Sequence, residues 1–382
     1  MKLIHLSDLH LGKRLNEFSL LEDQRYILAE IVRVVGEERP EGVILAGDIY
    51  DKSMPSAEAV ELFDDFLVRL VRQNTQVFLI SGNHDSAERI AFGGRLMMPS
   101  GVHVAPVYGG QVYSAALEDR WGTVCLYMLP FIKPVHVRRF YPDAEISTYT
   151  DALRTALAQL PADPQARNVL ITHQFVTGAQ RSDSEEISVG GSDNVDAAVF
   201  DSFDYVALGH IHGPQQAGRE TVRYCGTPLK YSFSEMKHIK SVTVVELAEK
   251  GSVQIRTVPL KPLRDLREIR GFYLELTNKA NYENTPREDY LRAVLTDENS
   301  IPDAMAKLRI IYPNLMTLEY DNARTRSRGA LESLEHTEQK KQPLELFAQF
   351  YEKQNNQSMN AEQTQFLRDM IEKTENETEE DA

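Results

Sequence analysis

Seven short runs of β-branched and apolar residues punctuate the first 250 positions, and five of them run straight into residues that can bind metals or move protons. The runs are KLIHLS (2–7), GVILAG (42–47), QVFLIS (76–81), VCLYML (124–129), NVLITH (168–173), YVALGH (205–210) and SVTVVEL (241–247). Each is too short for a helix and is bounded by turn residues, so each predicts a strand. Between them lie helical patterns. Residues 20–38 place Leu20, Leu21, Ile27, Leu28, Ile31, Val32 and Val35 on one stripe, and residues 56–72 do the same with Ala59, Val60, Phe63, Phe66, Leu67 and Leu70 after the start signal Pro55-Ser56. Strand–helix–strand alternation with near-continuous apolar strands predicts a layered α/β domain, its strands buried on both faces.

The five chemical patterns are Asp8-Leu9-His10, Gly47-Asp48-Ile49-Tyr50-Asp51, Gly82-Asn83-His84-Asp85, Thr172-His173-Gln174 and Gly209-His210-Ile211-His212. Sites in open α/β sheets gather outside the carboxyl ends of strands, so five such ends would meet on one rim. On extended chain an i, i+2 pair points to one side, which would let Asp8 act with His10, and His210 with His212. A lone Asp-x-His pair is weak evidence and often only caps a helix. Five patterns in order, holding five of the chain's ten histidines, argue instead for one shared centre. Carboxylate, imidazole and amide donors without thiolate suit Mn, Fe or Zn. Seven candidate ligands are too many for one ion and suit two, an arrangement that stabilises attacking and leaving oxygens in phosphate ester cleavage. Gly47, Gly82 and Gly209 would let the backbones approach closely there. His5, His103, His136, His238 and His336 read as structural or solvated, and Cys125 and Cys225 as small buried hydrophobes.

Composition narrows the setting. A chain of 382 residues predicts two or three domains. It contains no apolar run of about 18 residues, and Asp8 and His10 stand where a signal peptide needs an apolar core. Two cysteines without metal-type spacing exclude a disulfide scaffold or zinc ribbon and fit a reducing cytoplasm. The net charge of −15 disfavours nonspecific coating of nucleic acid, yet residues 327–382 alone hold 13 acidic against 6 basic residues. A local basic strip elsewhere stays open.

After the charged stretch 261–270 a smaller unit is expected. It reads strand (GFYLELT, 271–277), strand (YLRAVLT, 290–296), helix (301–312) and strand (NLMTLEY, 314–320), and is small enough that it should dock on the first domain. The expected division is 1–265, 266–326 and 327–382. The last part predicts helices at 343–354 and about 360–373, with a disordered end in TENETEEDA. Leu344, Phe347, Phe350 and Tyr351 form an apolar stripe that Phe366, Leu367, Met370 and Ile371 continue. Such a stripe can dock on a partner or pack within the chain.

The set D-x-H, G-D-x-x-D, G-N-H-D, a lone His and G-H-x-H resembles the calcineurin-like metallophosphoesterase superfamily over roughly residues 1–250. HLSDLHLGK, GDIYDKSMPS and the later LTDE and KLRIIYPNL are similar to the bacterial branch of the Mre-type double-strand-break nucleases, which extends the resemblance over nearly the whole chain. The resemblance implies a four-layer αββα sandwich with a small α+β capping domain that recognises DNA and a C-terminal helical tail. It implies that Asp8, His10 and His212 hold one divalent ion, Asn83, His173 and His210 a second, and that Asp48 bridges them, with Mn2+ the expected metal. His84 would assist the leaving oxygen and Asp85 would orient that imidazole. Asp51 departs from the archaeal G-D-x-x-H and is expected to orient a neighbour. Lys13, Arg14 and Arg89 are candidate DNA contacts, and the run 224–228 is expected to be scaffold. The implied activity is ATP-dependent exonuclease action on duplex ends and endonuclease action on hairpins or single strands. The implied partner is an ABC-type coiled-coil ATPase docked on the tail, around a nuclease homodimer through residues 56–72 and 86–98. A small-molecule or protein phosphoesterase and a non-catalytic DNA-end scaffold are the competing expectations.

Overall fold

The computed structural model describes residues 1–160, 163–185, 193–323, 325, 344, 347–348, 351 and 358–380. Its first sheet has the order β14-β13-β1-β4-β5-β6. Here β1 (Lys2–Leu6), β4 (Gly42–Ala46), β5 (Gln76–Ile80) and β6 (Val102–Val104) run parallel, β13 (Ser241–Leu247) runs antiparallel to β1, and β14 (Val253–Pro259) antiparallel to β13. The second sheet has the order β11-β12-β10-β9-β8-β7. In it β8 (Gly122–Leu129), β9 (Arg167–His173), β10 (Tyr205–Gly209) and β12 (Arg219–Tyr224) are parallel, with β7 (Tyr113–Asp119) and β11 (Gln215–Ala217) as antiparallel edges. A short ribbon, β2 (Arg14–Leu15) with β3 (Phe18–Ser19), precedes the first helix.

The sheets pack face to face. Leu3, Ile44, Phe78 and Ile80 of one meet Val169, Ile171, Tyr205 and Ala207 of the other in a fully buried layer. Outside the first sheet, helix α1 (Leu21–Glu38) lays Ile27, Ile31 and Val35, and helix α2 (Ala57–Val71) lays Leu62, Phe66 and Leu70, on Ile4, Val43, Leu45 and Leu79. Ser56 caps α2 by accepting from the Ala59 N–H. Outside the second sheet, the helix Tyr149–Ala158 covers Leu170, Val206 and Leu208 with Leu153 and Ala156. This is the layered α/β domain expected from the alternation, in the four-layer αββα form that the resemblance implied. At the amino-terminal end of β9, the buried Arg167 guanidinium pairs with Asp119 (2.5 Å) and donates to the carbonyls of Gly122 (2.6 Å), Leu247 (3.2 Å) and Ala248 (2.9 Å). It thereby ties the two sheets together away from the strand ends that carry the chemistry.

The smaller sheet β15-β16-β17 is parallel and has its own core of Leu291, Leu295, Leu308 and Leu315. Its strands are β15 (Leu266–Gly271), β16 (Tyr290–Leu295) and β17 (Leu315–Tyr320). The strand expected at 271–277 lies earlier, at Leu266–Gly271, and its place is taken by a helical turn at Tyr273–Leu276. The Glu275 carboxylate accepts the Phe272 N–H (3.0 Å) as a local cap, Asp297 accepts that of Tyr273 (2.7 Å) from 24 residues away, and together they outweigh the alternating apolar pattern. This unit docks on the sandwich through Asp23, which accepts from the Tyr290 hydroxyl (2.7 Å) and from Arg264 (3.0 Å). The helix expected at 360–373 runs from Ala361 to Glu380, into the segment expected to be disordered. It contains no glycine or proline to stop it. Leu367 is buried, whereas Phe366 and Met370 stay exposed. Leu344, Phe347 and Tyr351 are helical, while Phe350 and most of 327–357 lie outside the described residues. Among the described residues no helix is long and apolar enough to cross a membrane.

Candidate metal centre

The carboxyl ends of β1, β4 and β5 in one sheet face those of β9 and β10 in the other. Backbone bonds splice the turns together: Asp8 N–H donates to Gly47 O, His10 N–H to Asp48 O and Leu11 N–H to Ile49 O, each at 2.9–3.0 Å. The approach is close because side chains are missing where the turns cross. A Cβ on Gly209 would lie 2.0 Å from the Ala46 carbonyl, and one on Gly82 would lie 2.1 Å from Asp48 Oδ1. The period-two reasoning for Asp8 and His10 does not survive. Asp8 (φ 53°), His10 (φ 44°), Asp48 (φ 50°) and His210 (φ 104°) all have left-handed backbone beyond the strand ends. Positive φ is costly for residues with a Cβ, so the fold holds these four against their local preference. Turn geometry, rather than strand alternation, aims them.

The seven candidate ligands come together in two groups around one carboxylate. Asp8, His10 and His212 form the first, with ligand atoms within 4.8 Å of one another and the two Nε2 atoms 3.2 Å apart. In the second, Asn83 Oδ1 lies 3.0 Å from His173 Nε2 and 2.9 Å from His210 Nδ1. Asp48 Oδ2 sits between them, 3.7 Å from His10 Nε2 and 3.3 Å from His173 Nε2. All but Asn83 are buried.

The donor set fits divalent ions. Two carboxylates, an amide oxygen and four imidazoles converge on shared points, and no thiolate joins them. Burial above all holds His10 and His210 well below the usual imidazole range, so they stay neutral with lone pairs to offer. Burial also pulls His173 down, but the Asp48 carboxylate beside it more than offsets this and brings it to about 9. His173 Nδ1–H donates to the Ala46 carbonyl (2.8 Å), which turns Nε2 towards Asp48. Asp8 is pushed up by burial, and its carboxylate accepts from Ser7 and from the His210 N–H (3.0 Å).

His84 lies at the edge of this centre, its Nε2 4.0 Å from Asp48 Oδ2 and its Nδ1 donating to the Asp51 carbonyl (3.2 Å). The expectation that Asp85 orients this ring is corrected. The Asp85 carboxylate instead accepts the backbone N–H groups of Ile49 (3.0 Å), Tyr50 (2.9 Å) and Gly82 (3.0 Å), fixing the turns that carry Asp48 and Asn83. A carboxylate ringed by amide donors is the cheaper arrangement for a buried anion. Asp51 does orient neighbours, its carbonyl holding His84 and its carboxylate pairing with Lys13 (2.7 Å). Lys13 is therefore half-buried and ion-paired, whereas Arg14 and Arg89 are exposed and donate to the carbonyls of Glu17 and Ser53. Cys225 packs behind the centre, its Sγ 3.1 Å from Ser7 Oγ, and Thr227 N–H donates to His212 O (3.1 Å), as scaffold would. Sequence reasoning missed Ser184, Glu185 and Glu235, which surround His212. No motif spacing marks them.

Residues 1–214 match the calcineurin-like phosphoesterase family model, and residues 262–355 match a model described as the type 5 capsule protein repressor C-terminal domain. A protein of Staphylococcus epidermidis, named as the SbcD subunit of the nuclease SbcCD, is 32% identical over 97% of this chain and 98% of its own length. The protein of the same name from Staphylococcus saprophyticus is 34% identical over 83% of this chain and 84% of its own. Among solved structures, a dimetal phosphatase from Danio rerio aligns with a TM-score of 0.42 and 14% identity, covering 68% of this chain and 99% of that one.

Proposed function

The chain belongs to the calcineurin-like phosphoesterase family, in the branch of its SbcD-named nuclease relatives, and on that premise we propose that it cleaves DNA as half of an ATPase-coupled complex. It is a metal-dependent phosphodiesterase. The observation that carries the reading is the gathering of seven candidate nitrogen and oxygen ligands from five strand ends, Asp48 central among them, with His84 beside them. In this reading Asp8, His10 and His212 hold one ion, Asn83, His173 and His210 the other, and Asp48 is shared. Two Mn2+ ions, when bound, supply the positive charge that neutralises a phosphodiester and makes an attacking water more acidic. His84 keeps Nδ1–H on the Asp51 carbonyl, so Nε2 faces the reaction: protonated from solvent, the imidazolium gives its Nε2–H to the leaving oxygen and returns to the neutral ring. Asp85 holds the Asp48 and Asn83 turns in register. Arg14 and Arg89 are the candidates for phosphate contacts.

The relatives are named for an SbcCD complex, and the partner proposed for this chain is an SbcC-like coiled-coil ABC-type ATPase. It would dock on the C-terminal segment 327–382, around a nuclease homodimer, in the cytoplasm. Residues 1–265 would form the nuclease domain, and residues 266–326 would cap it and meet DNA. The substrates are duplex ends, cleaved with ATP, and hairpins or single strands. The test uses purified chain with Mn2+ on a small phosphodiester, a DNA hairpin and a blunt duplex, each with and without the ATPase and ATP. Diester hydrolysis by the chain alone, with duplex-end cleavage only in the complex, is the expected pattern. Turnover of phosphomonoesters but not diesters would favour a phosphatase, and metal uptake without any turnover a scaffold.

A further inference from the structure

We propose that Glu235 is a positioning residue for His212, acting through Ser184 and paired with Lys240 to keep the imidazole in the tautomer whose Nε2 lone pair faces Asp8 and His10. The proposal rests on the metal-centre reading above. His212 has four polar atoms, and three are held from behind. Its N–H donates to Glu185 Oε1 (2.6 Å), and its carbonyl accepts from Lys240 Nζ (2.9 Å) and from the Thr227 N–H (3.1 Å). Its Nδ1 lies 2.6 Å from Ser184 Oγ.

Proton counting then fixes the ring. A serine hydroxyl has one proton to donate. Ser184 gives it to Glu235 Oε1 at 2.5 Å, because a carboxylate can only accept. Ser184 must therefore accept from Nδ1, which places a proton there, and in the neutral ring leaves Nε2 as the lone pair, 3.2 Å from His10 Nε2. A ligating histidine is tuned in this way by the partner of its other nitrogen. If the 235 position could donate to Ser184, the hydroxyl would be free to donate to Nδ1, and the ring would present Nε2–H to the centre.

Lys240 makes the relay one-directional. Its ammonium spends all three protons, on Glu235 Oε2 (2.5 Å), Thr227 Oγ1 (2.6 Å) and the His212 carbonyl. Glu235 is fully buried and Lys240 nearly so. Burying such a pair brings little net stability compared with apolar packing, and here it stands directly behind a proposed ligand. Glu235 also receives the Tyr231 N–H (3.3 Å), and the Tyr231 hydroxyl donates to the Leu9 carbonyl between Asp8 and His10. The same carboxylate thus braces both turns of the Asp8–His10–His212 group.

Two variants test this in the full-length chain, Glu235→Gln and Ser184→Ala, the second leaving the buried ion pair intact. Mn2+ binding is titrated calorimetrically, thermal melting in chelator checks folding, and 15N shifts of labelled histidines report the tautomer without metal. The wild type should take up two ions. Each variant should bind one of them about 10–100-fold more weakly, with the other near wild-type affinity and one imidazole losing its Nδ1–H signature. Ser184→Ala with two ions at wild-type affinity and unchanged histidine shifts overturns the proposal, even if Glu235→Gln fails to fold. Wild-type chain that binds fewer than two ions overturns the metal-centre reading and this proposal with it. Weakening of both ions equally assigns Glu235 and Ser184 to general support and likewise overturns it.

Discussion

His84 and Asp85 are neighbours in sequence with separate tasks, and their contacts tell them apart. The His84 ring reaches towards Asp48 and lies close enough to group with His10 and Asp48, while the Asp85 carboxylate is spent on three backbone N–H groups. His84→Gln should therefore leave both ions in place and lower diester cleavage about 10²–10⁴-fold, the usual contribution of a general acid. Metal content measured beside turnover checks this. Loss of an ion from the variant would move His84 into the ligand set. The GNHD motif names both residues but cannot divide their roles, because which side chain reaches the metals depends on the turn at 82–85.

At the scale of elements, the closest approach is between the end of β10 and the end of β4. Gly209→Ala would set a methyl against the Ala46 carbonyl, and neither backbone can rotate away. We expect a loss of at least the ~1–3 kcal/mol of an overpacked core, together with weaker metal binding, since His173 Nδ1 is also within 2.6 Å of that Cβ. Thermal melts with and without Mn2+ separate the two effects. At the opposite ends of the strands, the Arg167 guanidinium beside Asp119 holds that carboxyl well below its usual range. A depressed carboxylate contributes stability that is complete above its unfolded pKa, about 3.9. That contribution fades as pH falls towards the folded value. Asp119→Asn, which leaves the buried Arg167 uncompensated, should thus cost about 3 kcal/mol at neutral pH and progressively less below pH 4. A cost independent of pH in denaturant melts would show that packing, not charge, is what Asp119 supplies. Strands buried on both faces were legible as apolar runs. The edge strands β7 and β14 were not, because one face is open and their residues alternate in exposure.

For the whole molecule, the decisive question is whether the tail belongs to the sandwich or to a partner. None of the candidate ligands lies beyond His212, and Phe347, Phe366 and Met370 remain exposed. Truncation after about residue 327 should give a folded chain that keeps two ions and hydrolyses a small phosphodiester within about twofold of full length. It should fail to copurify with the ATPase and lose ATP-stimulated cleavage of duplex ends, because burying these exposed apolar side chains at ~1.5–3 kcal/mol each, before association costs, is what would hold the partner. An insoluble or metal-free truncated chain would assign the stripe to the protein's own core.

By itself the sequence determined the layers and the identity of the chemical residues. Period and apolar content mark β1, β4, β5, β8, β9, β10 and β13 to within two residues, and the five motifs collect Asp8, His10, Asp48, Asn83, His84, His173, His210 and His212. Only the tertiary structure decided how those residues are aimed. Four of them point inward through left-handed backbone that no local preference selects, held by turns from both sheets that interlock at Gly82 and Gly209. The support behind them was equally invisible. Ser184, Glu235 and Lys240 follow no spacing rule, and become neighbours of His212 only when the β9–β10 connection, the end of β10 and the segment leading into β13 close on one buried charge pair. Motifs record which atoms a site needs, whereas the direction of each lone pair is set by hydrogen bonds between segments far apart in the chain.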